Sequence, residues 1–495
     1  MNVQTATIVF QPRLPKSRLA RLGDGMARHR RAILGIQWAI VVFYAVLVVL
    51  PAFLPPPNPE TRLFSSDFGA ASFVDPAVCT ASDEVPVQDK PPYVGAWHER
   101  LVLAAQYLFW GVWWPFVILS IMLVGRVWCG VLCPEGALAE FASRHGRGGA
   151  IPKWLRWGGW PVVAFILTTV YGQLVSVYEY PQAALLILGG STVAAMAIGY
   201  LYGKGKRIWC RHLCPVSGVF ALLARLAPVH FRVDAEAWKR HPARTPAVDC
   251  APLLNVRKLD GMAECHACGR CSGHRDAVEL AARSPNAEIL AGEAPRTAEA
   301  MLLLFGLLGV ALGAFQWTVN PWFVRLKQAA AEWLVNRDIL WPLGTDAPWW
   351  LLTHQEAAND LFTWLDGAAI LVYIGGVALA IGGGAWACLR LAARLASADW
   401  RRLTLALTPL AGIGLFLGLS MMTATHLRAE GVPLGWLPGL RAALLAVGVG
   451  WSVWLGGQVL KVSRGGTPAK LLAGVVGLVP VAVVAASWLF VFYVW

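Results

Sequence analysis

Long runs of apolar residues recur along the chain, and they constrain its fold more than any other feature. A helix needs about 20 such residues to cross the hydrocarbon core of a bilayer, and unpaired backbone groups are too costly in lipid for irregular structure. The 495 residues are 57% hydrophobic and 14% charged, as in an integral membrane protein. Nine spans are predicted, near residues 32–54, 103–125, 157–178, 182–202, 298–318, 364–388, 403–423, 437–460 and 470–494.

The positions of arginine and lysine predict how the chain is oriented. Cytoplasmic loops carry an excess of these residues, and here they are concentrated before the first span and after the second, fourth, sixth and eighth. We therefore predict a cytoplasmic amino terminus and a periplasmic carboxyl terminus. A basic rim facing anionic lipid explains the formal net charge of +13, so the predicted partner is the membrane and not nucleic acid.

A nine-residue phrase occurs twice, each time just after a predicted span. The copies are Arg126-Val-Trp-Cys-Gly-Val-Leu-Cys-Pro134 and Arg207-Ile-Trp-Cys-Arg-His-Leu-Cys-Pro215. Both lie on the predicted cytoplasmic side, which is reducing, and grouped thiols there usually indicate metal binding or catalysis. The proline is expected to turn the chain out of the helix and to free backbone amides for hydrogen bonds to cluster sulfurs. Trp128 and Trp209 are predicted to be interfacial anchors at headgroup level, and only secondarily a shield for the cluster.

A third group of cysteines follows the second copy. Cys265, Cys268 and Cys271 stand in steps of three positions, the spacing with which bacterial ferredoxins bind a cubane cluster. We call these three residues the ladder. It breaks after Cys271, because Arg275 stands where the fourth cysteine is expected and Asp276 where proline is expected.

Eight cysteines on one side of the membrane are enough for two 4Fe-4S clusters, because each cluster needs four ligands. Cys250 is the preferred fourth ligand of the ladder, which leaves a second site made by the two copies of the phrase. Two alternatives are an exchange of one cysteine of each copy between the clusters, and His274 as the fourth ligand. A structural zinc site at Cys250 and the ladder, with His266 or His274 as substitutes, is a further possibility. The candidate ligands are Cys129, Cys133, Cys210, Cys214, Cys250, Cys265, Cys268 and Cys271.

The motifs VWCGVLCPEGAL and IWCRHLCPVSGV, with the ladder after them, resemble the polyferredoxin-type membrane proteins that include NosR, NapH and CcoG. The resemblance covers roughly residues 100–280. It implies cluster-mediated electron transfer in a bacterial inner membrane, serving anaerobic respiration, periplasmic reductases, or copper and oxidase maturation. The chain departs from that group in its incomplete second ferredoxin ladder and in four additional carboxyl-terminal spans.

These observations predict an all-α polytopic membrane protein with a small cytoplasmic ferredoxin-like iron-sulfur segment. The predicted function is electron transfer between a quinone or cytoplasmic donor and a periplasmic acceptor, through redox partner proteins. The alternative is a metal-handling assembly factor, for example one that reduces copper. A quinone is a candidate second cofactor, with His426, His354 and Glu356 as candidate contacts, whereas Cys79 and Cys388 are solitary thiols. The predicted regions are a basic amino terminus (1–31), four spans (32–202), the iron-sulfur segment (203–297) and five spans (298–495).

Overall fold

The computed structural model describes residues 17–55, 97–241, 245–292, 294–356, 359–429 and 431–494, and Cys79 lies outside them. In chain order the helices are α1 (Arg18–Arg28), α2 (Arg30–Ala52), α3 (Trp97–Val124), α4 (Pro134–Arg144), α5 (Trp160–Leu174), α6 (Pro181–Tyr202), α7 (Ile208–His212), α8 (Ser217–Ala224), α9 (Ala235–Arg240), α10 (Ala287–Ala291), α11 (Thr297–Gln316), α12 (Pro321–Val335), α13 (Trp364–Ala396), α14 (Trp400–Arg428), α15 (Leu437–Lys461) and α16 (Thr467–Val494). Single helical turns are formed by Trp128–Leu132, Val256–Lys258, His274–Asp276 and Trp341–Leu343.

Eight of these helices, α2, α3, α6, α11 and α13 to α16, are long and apolar enough to cross a membrane. They correspond to eight of the nine predicted spans. The predicted all-α polytopic class is therefore confirmed, and the protein is a multi-pass membrane protein. Many side chains on α2 and α16 face outward although they are apolar, as lipid contact requires; Val42 and Val475 are 62% and 63% exposed.

The third predicted span is shorter in the structure than the apolar run of 157–178 suggests. Helix α5 has 15 residues and is about 22 Å long at 1.5 Å per residue, less than the ~30 Å of a hydrocarbon core. The two copies of the phrase, which precede α5 and follow α6, nevertheless lie together, since Arg207 donates to the carbonyl of Cys129; nine crossings therefore stay the prediction. A distant loop fixes its end: the Thr353 amide donates to the carbonyl of Leu174 at 2.8 Å, and the Thr353 hydroxyl lies 2.7 Å from that of Ser176. The chain then turns at Ser176, where φ is +48°.

The strands in the described residues form two small antiparallel sheets of two strands each. Strand β1 (Val229–Val233) pairs with β2 (Val278–Ala282), and Phe231 stands opposite Leu280. Strand β3 (His354–Gln355) pairs with β4 (Asp360–Leu361). Because β1 precedes Cys250 and β2 follows Cys271 in the chain, the first sheet brings together the two ends of the segment that carries the ladder.

Close backbone contacts bring α1 and α4 to the cysteine-bearing segments. A Cβ at Gly199 of α6 would lie 2.5 Å from the carbonyl oxygen of Ala139 in α4, so these two helices meet at a small residue, as packed membrane helices often do. Helix α1 lies across the ladder, where a Cβ at Gly269 would lie 2.5 Å from that of Met26. The Ser272 hydroxyl donates to Asp24 at 3.0 Å.

Candidate metal centre

The first copy of the phrase is a tight turn between α3 and α4. Gly125 ends α3 with φ +69°, and a Cβ there would lie 2.3 Å from the Met262 side chain. Cys133 is extended (φ −74°, ψ 116°), because the proline after it disfavours helical geometry. Its sulfur accepts a hydrogen bond from the Gly136 amide at 3.3 Å. The turn after Cys133 thus presents one amide to the cysteine sulfur, while hydrogen bonds to cluster sulfurs stay a prediction.

The second copy is built in a similar way between α6 and α8. Cys210 lies in the short helix α7, and the amide of Cys214 donates to the Trp209 carbonyl at 3.0 Å. Ser217, the first residue of α8, donates its hydroxyl to the carbonyl of Cys210 at 2.7 Å. The side chains of Cys210 and Cys214 are both buried.

Two residues between the ladder cysteines have left-handed backbone conformations. Ala267 and Gly269 have φ values of +48° and +72°, and the Ala267 amide donates to the Cys265 sulfur at 3.4 Å. Alternation of left-handed and right-handed residues creates concave nests of amides that favour negatively charged groups, including iron-sulfur clusters. The loop thus already directs the amide of Ala267 to a ladder sulfur.

The eight thiols form two sets, and the thiols of each set interact with one another. The repeat set consists of the cysteines in the two copies of the phrase, and the ladder set consists of Cys250 and the ladder. In the repeat set, burial is the largest cause that raises the pKa of Cys133 and Cys214 well above the usual thiol range, and that of Cys210 to about 12. The charges of neighbouring thiols in the same set raise these values further. The members are Cys129, Cys133, Cys210 and Cys214.

The ladder set behaves in the same way. Burial raises the pKa of Cys265 to about 12, followed in part by repulsion from Cys268 and Cys250. Cys271 and Cys250 are shifted in the same direction, again first by burial. Cys250 therefore lies with the three ladder cysteines. The members of this set are Cys250, Cys265, Cys268 and Cys271.

The two sets are in direct backbone contact. A Cβ at Gly130, between the cysteines of the first copy, would lie 2.0 Å from the carbonyl oxygen of His266 and 2.9 Å from the amide nitrogen of Cys268. Only glycine lets the ladder come this close. The equivalent position in the second copy is Arg211, whose guanidinium donates to the carbonyl of Pro252 at 3.2 Å.

The donor chemistry and the surrounding charges fit thiolate-bound iron. Each set offers four thiols, and metal binding offsets the cost of ionising them because a coordinated thiol is deprotonated. Two buried guanidinium groups face the sets, Arg126 (4% exposed) and Arg207 (1% exposed). The Nε atom of Arg126 and the Nη2 atom of Arg207 have no hydrogen-bond partner among the described residues. Such positive groups suit a bound cluster, which is negatively charged when four thiolates hold it.

A single-ion site such as zinc is the alternative to a cluster in the ladder set. Within the described residues, no three His, Cys, Asp or Glu side chains are grouped closely enough to hold one metal ion. A structural zinc ion would need its thiolates about 2.3 Å from one centre. In a cubane cluster each thiolate binds a different iron atom, so the ligands stand further apart.

Other predicted candidates lie elsewhere. His274 packs its ring on Trp238, with ring centroids 5.2 Å apart, and its charge interacts with Arg275 and His241. His426 stacks on Tyr107 at 3.9 Å. His354 lies 3.4 Å from Glu356 beside the small β3–β4 sheet.

The two tryptophans before the first cysteines are not interfacial anchors. Trp128 and Trp209 are 7% and 9% exposed. Trp128 packs edge-on against Trp113 at 5.0 Å, and Trp209 packs in one apolar cluster with Cys210 and Cys214. The prediction of headgroup anchors was wrong because both rings pack inside the protein, Trp128 against α3 and Trp209 between α4 and α6.

A buried ion network next to the sets was not predicted from the sequence. Glu140 accepts hydrogen bonds from Arg207 at 2.9 Å, from Arg270 at 2.7 Å and from Arg144 at 2.8 Å. Burial alone would raise the pKa of this carboxyl, but the guanidinium groups of Arg207 and Arg270 hold it at about 2. Only the i,i+4 spacing of Glu140 and Arg144 could have indicated part of this network.

A cavity of about 730 Å³ opens beside the repeat set. All four thiols of this set contribute to its wall, and so do Lys327 of α12, Asp360 of β4 and Asp366 of α13. Most of the remaining wall is apolar and aromatic. Glu135, in the first turn of α4, also lines the cavity, where burial raises its pKa to about 7 and the Ser191 hydroxyl donates to it.

Comparison with known proteins bears on these cysteines. The family model of a 4Fe-4S binding domain matches the chain twice, at residues 107–153 and 185–233. Each match contains one copy of the phrase. The predicted resemblance to NosR-type membrane 4Fe-4S proteins is confirmed.

The NosR-like relatives are similar over about a third of this chain. The regulatory protein NosR of Pseudomonas aeruginosa is 28% identical over 35% of this chain and 26% of its own length. NosR of Stutzerimonas stutzeri is 28% identical over 32% of this chain and 24% of its own. The Escherichia coli protein YccM, whose name describes an electron transport role, is 25% identical over 32% of this chain and 50% of its own length. The chain thus covers between a quarter and a half of these relatives, and no solved structure matches it.

Proposed function

We propose that this NosR-like chain is a membrane electron-transfer protein that holds two 4Fe-4S clusters, one in the repeat set and one in the ladder set. A 4Fe-4S cluster supplies one-electron transfer when it is bound. In this proposal the thiols face the cytoplasm, as the distribution of basic loops predicts, and residues 203–297 form the iron-sulfur segment. The electrons pass between a quinol or cytoplasmic donor and a periplasmic redox partner.

The backbone contact at Gly130 is the observation that carries this proposal. It brings the Cys129–Cys133 turn against the ladder at Cys268, so that two cluster-binding loops share one contact. Electron transfer between centres depends on short separation, and this packing provides it without a mobile domain. Two of the four thiols in the ladder set, Cys250 and Cys268, are partly exposed, whereas in the repeat set only Cys133 is, and it lines the cavity. The ladder set therefore offers the access that a soluble redox partner needs.

The cavity supports a quinol as the donor. It is enclosed mainly by apolar and aromatic side chains, including Trp110 and Trp317, and it reaches the four thiols of the repeat set. Ligand sites of this kind combine apolar walls with a few placed polar groups. Gln173 and Glu135 are such groups in its wall. A lipid-soluble aromatic reductant would enter this cavity from the membrane.

The first experiment tests the clusters. The full chain is purified without oxygen in detergent, and its iron, acid-labile sulfide and electron paramagnetic resonance spectrum are measured. We expect about eight iron atoms per chain and two reduced-cluster signals. About four iron atoms would remove one set, and stoichiometric zinc without iron would reject the proposal.

The second experiment tests the quinol donor. Thr169, in α5, lines the cavity, and Thr169→Trp would fill part of it. Val193 on α6 is 67% exposed, so Val193→Trp is the control of the same added size. We expect duroquinol to reduce the clusters of the control at the wild-type rate and those of Thr169→Trp at least tenfold more slowly, with equal iron content. Equal rates in the two variants would remove the cavity from the electron path.

A further inference from the structure

Two arginines occupy the same place in the two copies of the phrase, and each reaches across to the other copy. Arg207 donates through Nη1 to the carbonyl of Cys129. Arg126 donates through Nη2 to the Ser217 hydroxyl at 2.7 Å, and that hydroxyl donates to the carbonyl of Cys210 at 2.7 Å. Each arginine thus supports the first cysteine of the opposite copy, Arg207 directly and Arg126 through one serine.

The same two arginines also reach the segment that holds the ladder set. Arg126 donates through Nη1 to the carbonyl of Ala263 at 2.8 Å, two residues before Cys265. The backbone amide of Arg207 donates to the carbonyl of Ala251 at 2.9 Å, next to Cys250. These bonds join the loops of both sets through the side chain of Arg126 and the backbone of Arg207.

The guanidinium charges lie between the sets. Arg207 interacts electrostatically with Cys133 and Cys210 on one side and with Cys268 on the other. Arg126 acts in the same way on Cys210 and on Cys265. Each guanidinium charge therefore interacts with at least one thiol of the repeat set and at least one thiol of the ladder set.

The two charges are compensated differently. Glu140 pairs with Arg207 at 2.9 Å. The hydrogen bonds of Arg126 go to a carbonyl and a hydroxyl, which are neutral, and its Nε has no hydrogen-bond partner in the described part of the chain. An uncompensated charge is costly in a site that is 96% buried, and a negatively charged cluster on either side would offset that cost.

We propose that Arg126 and Arg207 are positioning residues that lock the two cluster loops together and raise the reduction potentials of both clusters. The inference rests on the proposed function, since it requires that both clusters are present. Reduction adds one negative charge to a cluster, so a buried cation stabilises the reduced form; net charge, hydrogen bonding and exposure set these potentials. Arg126 has the larger effect, because no carboxylate among the described residues is paired with it.

The test is a redox titration of the anaerobically purified full chain, followed by electron paramagnetic resonance. In Arg126→Gln we expect the one-electron reduction equilibrium of both clusters to fall by at least tenfold, which lowers each potential by about 59 mV. Arg126→Lys keeps the charge and should shift both potentials by less than this. Arg402 donates to the backbone carbonyls of Leu290 and Gly292, so Arg402→Gln is the control and should shift neither.

The outcomes separate this inference from the proposed function. An Arg126→Gln protein with full iron in which either potential is unchanged would overturn the inference, and so would equal shifts in the Gln and Lys variants. If Arg126→Gln does not assemble clusters, Arg126→Lys decides: wild-type iron and potentials support the role of the charge, and loss of iron overturns it. A wild-type protein without iron would instead reject the proposed function.

Discussion

Alanine at Gly130 would test the contact between the two thiol sets. The new methyl carbon would lie 2.0 Å from the His266 carbonyl oxygen, about 1.4 Å short of the 3.4 Å at which ordinary van der Waals contact begins. It would also meet the amide nitrogen of Cys268 at 2.9 Å. Both obstacles are backbone atoms, so no side chain can rotate away. The ladder must move by more than 1 Å, and overpacking of this kind costs about 1–3 kcal/mol.

The expected result is a displaced ladder cluster beside an almost unchanged repeat cluster. Gly130→Ala should alter or remove one of the two reduced-cluster signals and lower the iron content, because the amides around Cys268 no longer fit the cluster. Gly35→Ala is the matched control, since a Cβ at Gly35 in α2 meets nothing within 4 Å. Signals, iron content and thermal unfolding are compared for the two variants. If they behave alike, the contact between the sets is not as described.

Three further results are expected. Cys250→Ser should remove or convert the ladder cluster and leave the repeat cluster, whereas Cys214→Ser should do the reverse. If Cys250→Ser leaves both cluster signals unchanged and His274→Ala loses the ladder signal, histidine is the fourth ligand. Glu140→Gln should lower the free energy of unfolding by about 3–5 kcal/mol, because it leaves buried Arg207 without its carboxylate; an unchanged midpoint in thermal unfolding would contradict this. Reporter fusions should place residues 145, 240 and 395 in the cytoplasm and residues 75, 340 and 430 in the periplasm, and a periplasmic signal at 240 would reverse the orientation.

Features set by local spacing could be predicted from the sequence. Apolar length located eight spanning helices, and the doubled phrase located two copies of a 4Fe-4S binding domain. The structure also brings Cys250 to the ladder, although its role as a ligand stays a prediction. The alternating apolar pattern of β1 around Phe231 was missed, because its partner strand is 45 residues away at the nearest paired residues.

Features set by distant contacts could not be predicted. Helix α5 ends where it does because Thr353, far along the chain, binds its last carbonyl. Arg126 and Arg207 resembled ordinary members of a basic loop, since a positive charge near a span is expected from topology alone. Only the fold shows that these two guanidinium groups point inward between the thiols. The burial of Trp128 was missed for the same reason.

The position of α1 over the ladder has a consequence for biogenesis. The hydrogen bond from Ser272 to Asp24 joins residues 248 positions apart. Helix α1 is synthesised first, so it can dock only after the segment that carries the ladder has been synthesised. At the usual translation rate of about 5–20 residues per second, that delay is roughly 12 to 50 s. During this interval the chain up to residue 203 can enter the membrane, and the ladder is complete only when the interval ends, because Cys271 directly precedes Ser272. Docking of α1 on the ladder is therefore a late step, which is possible only after the fourth predicted span and the whole cysteine-bearing segment have been made.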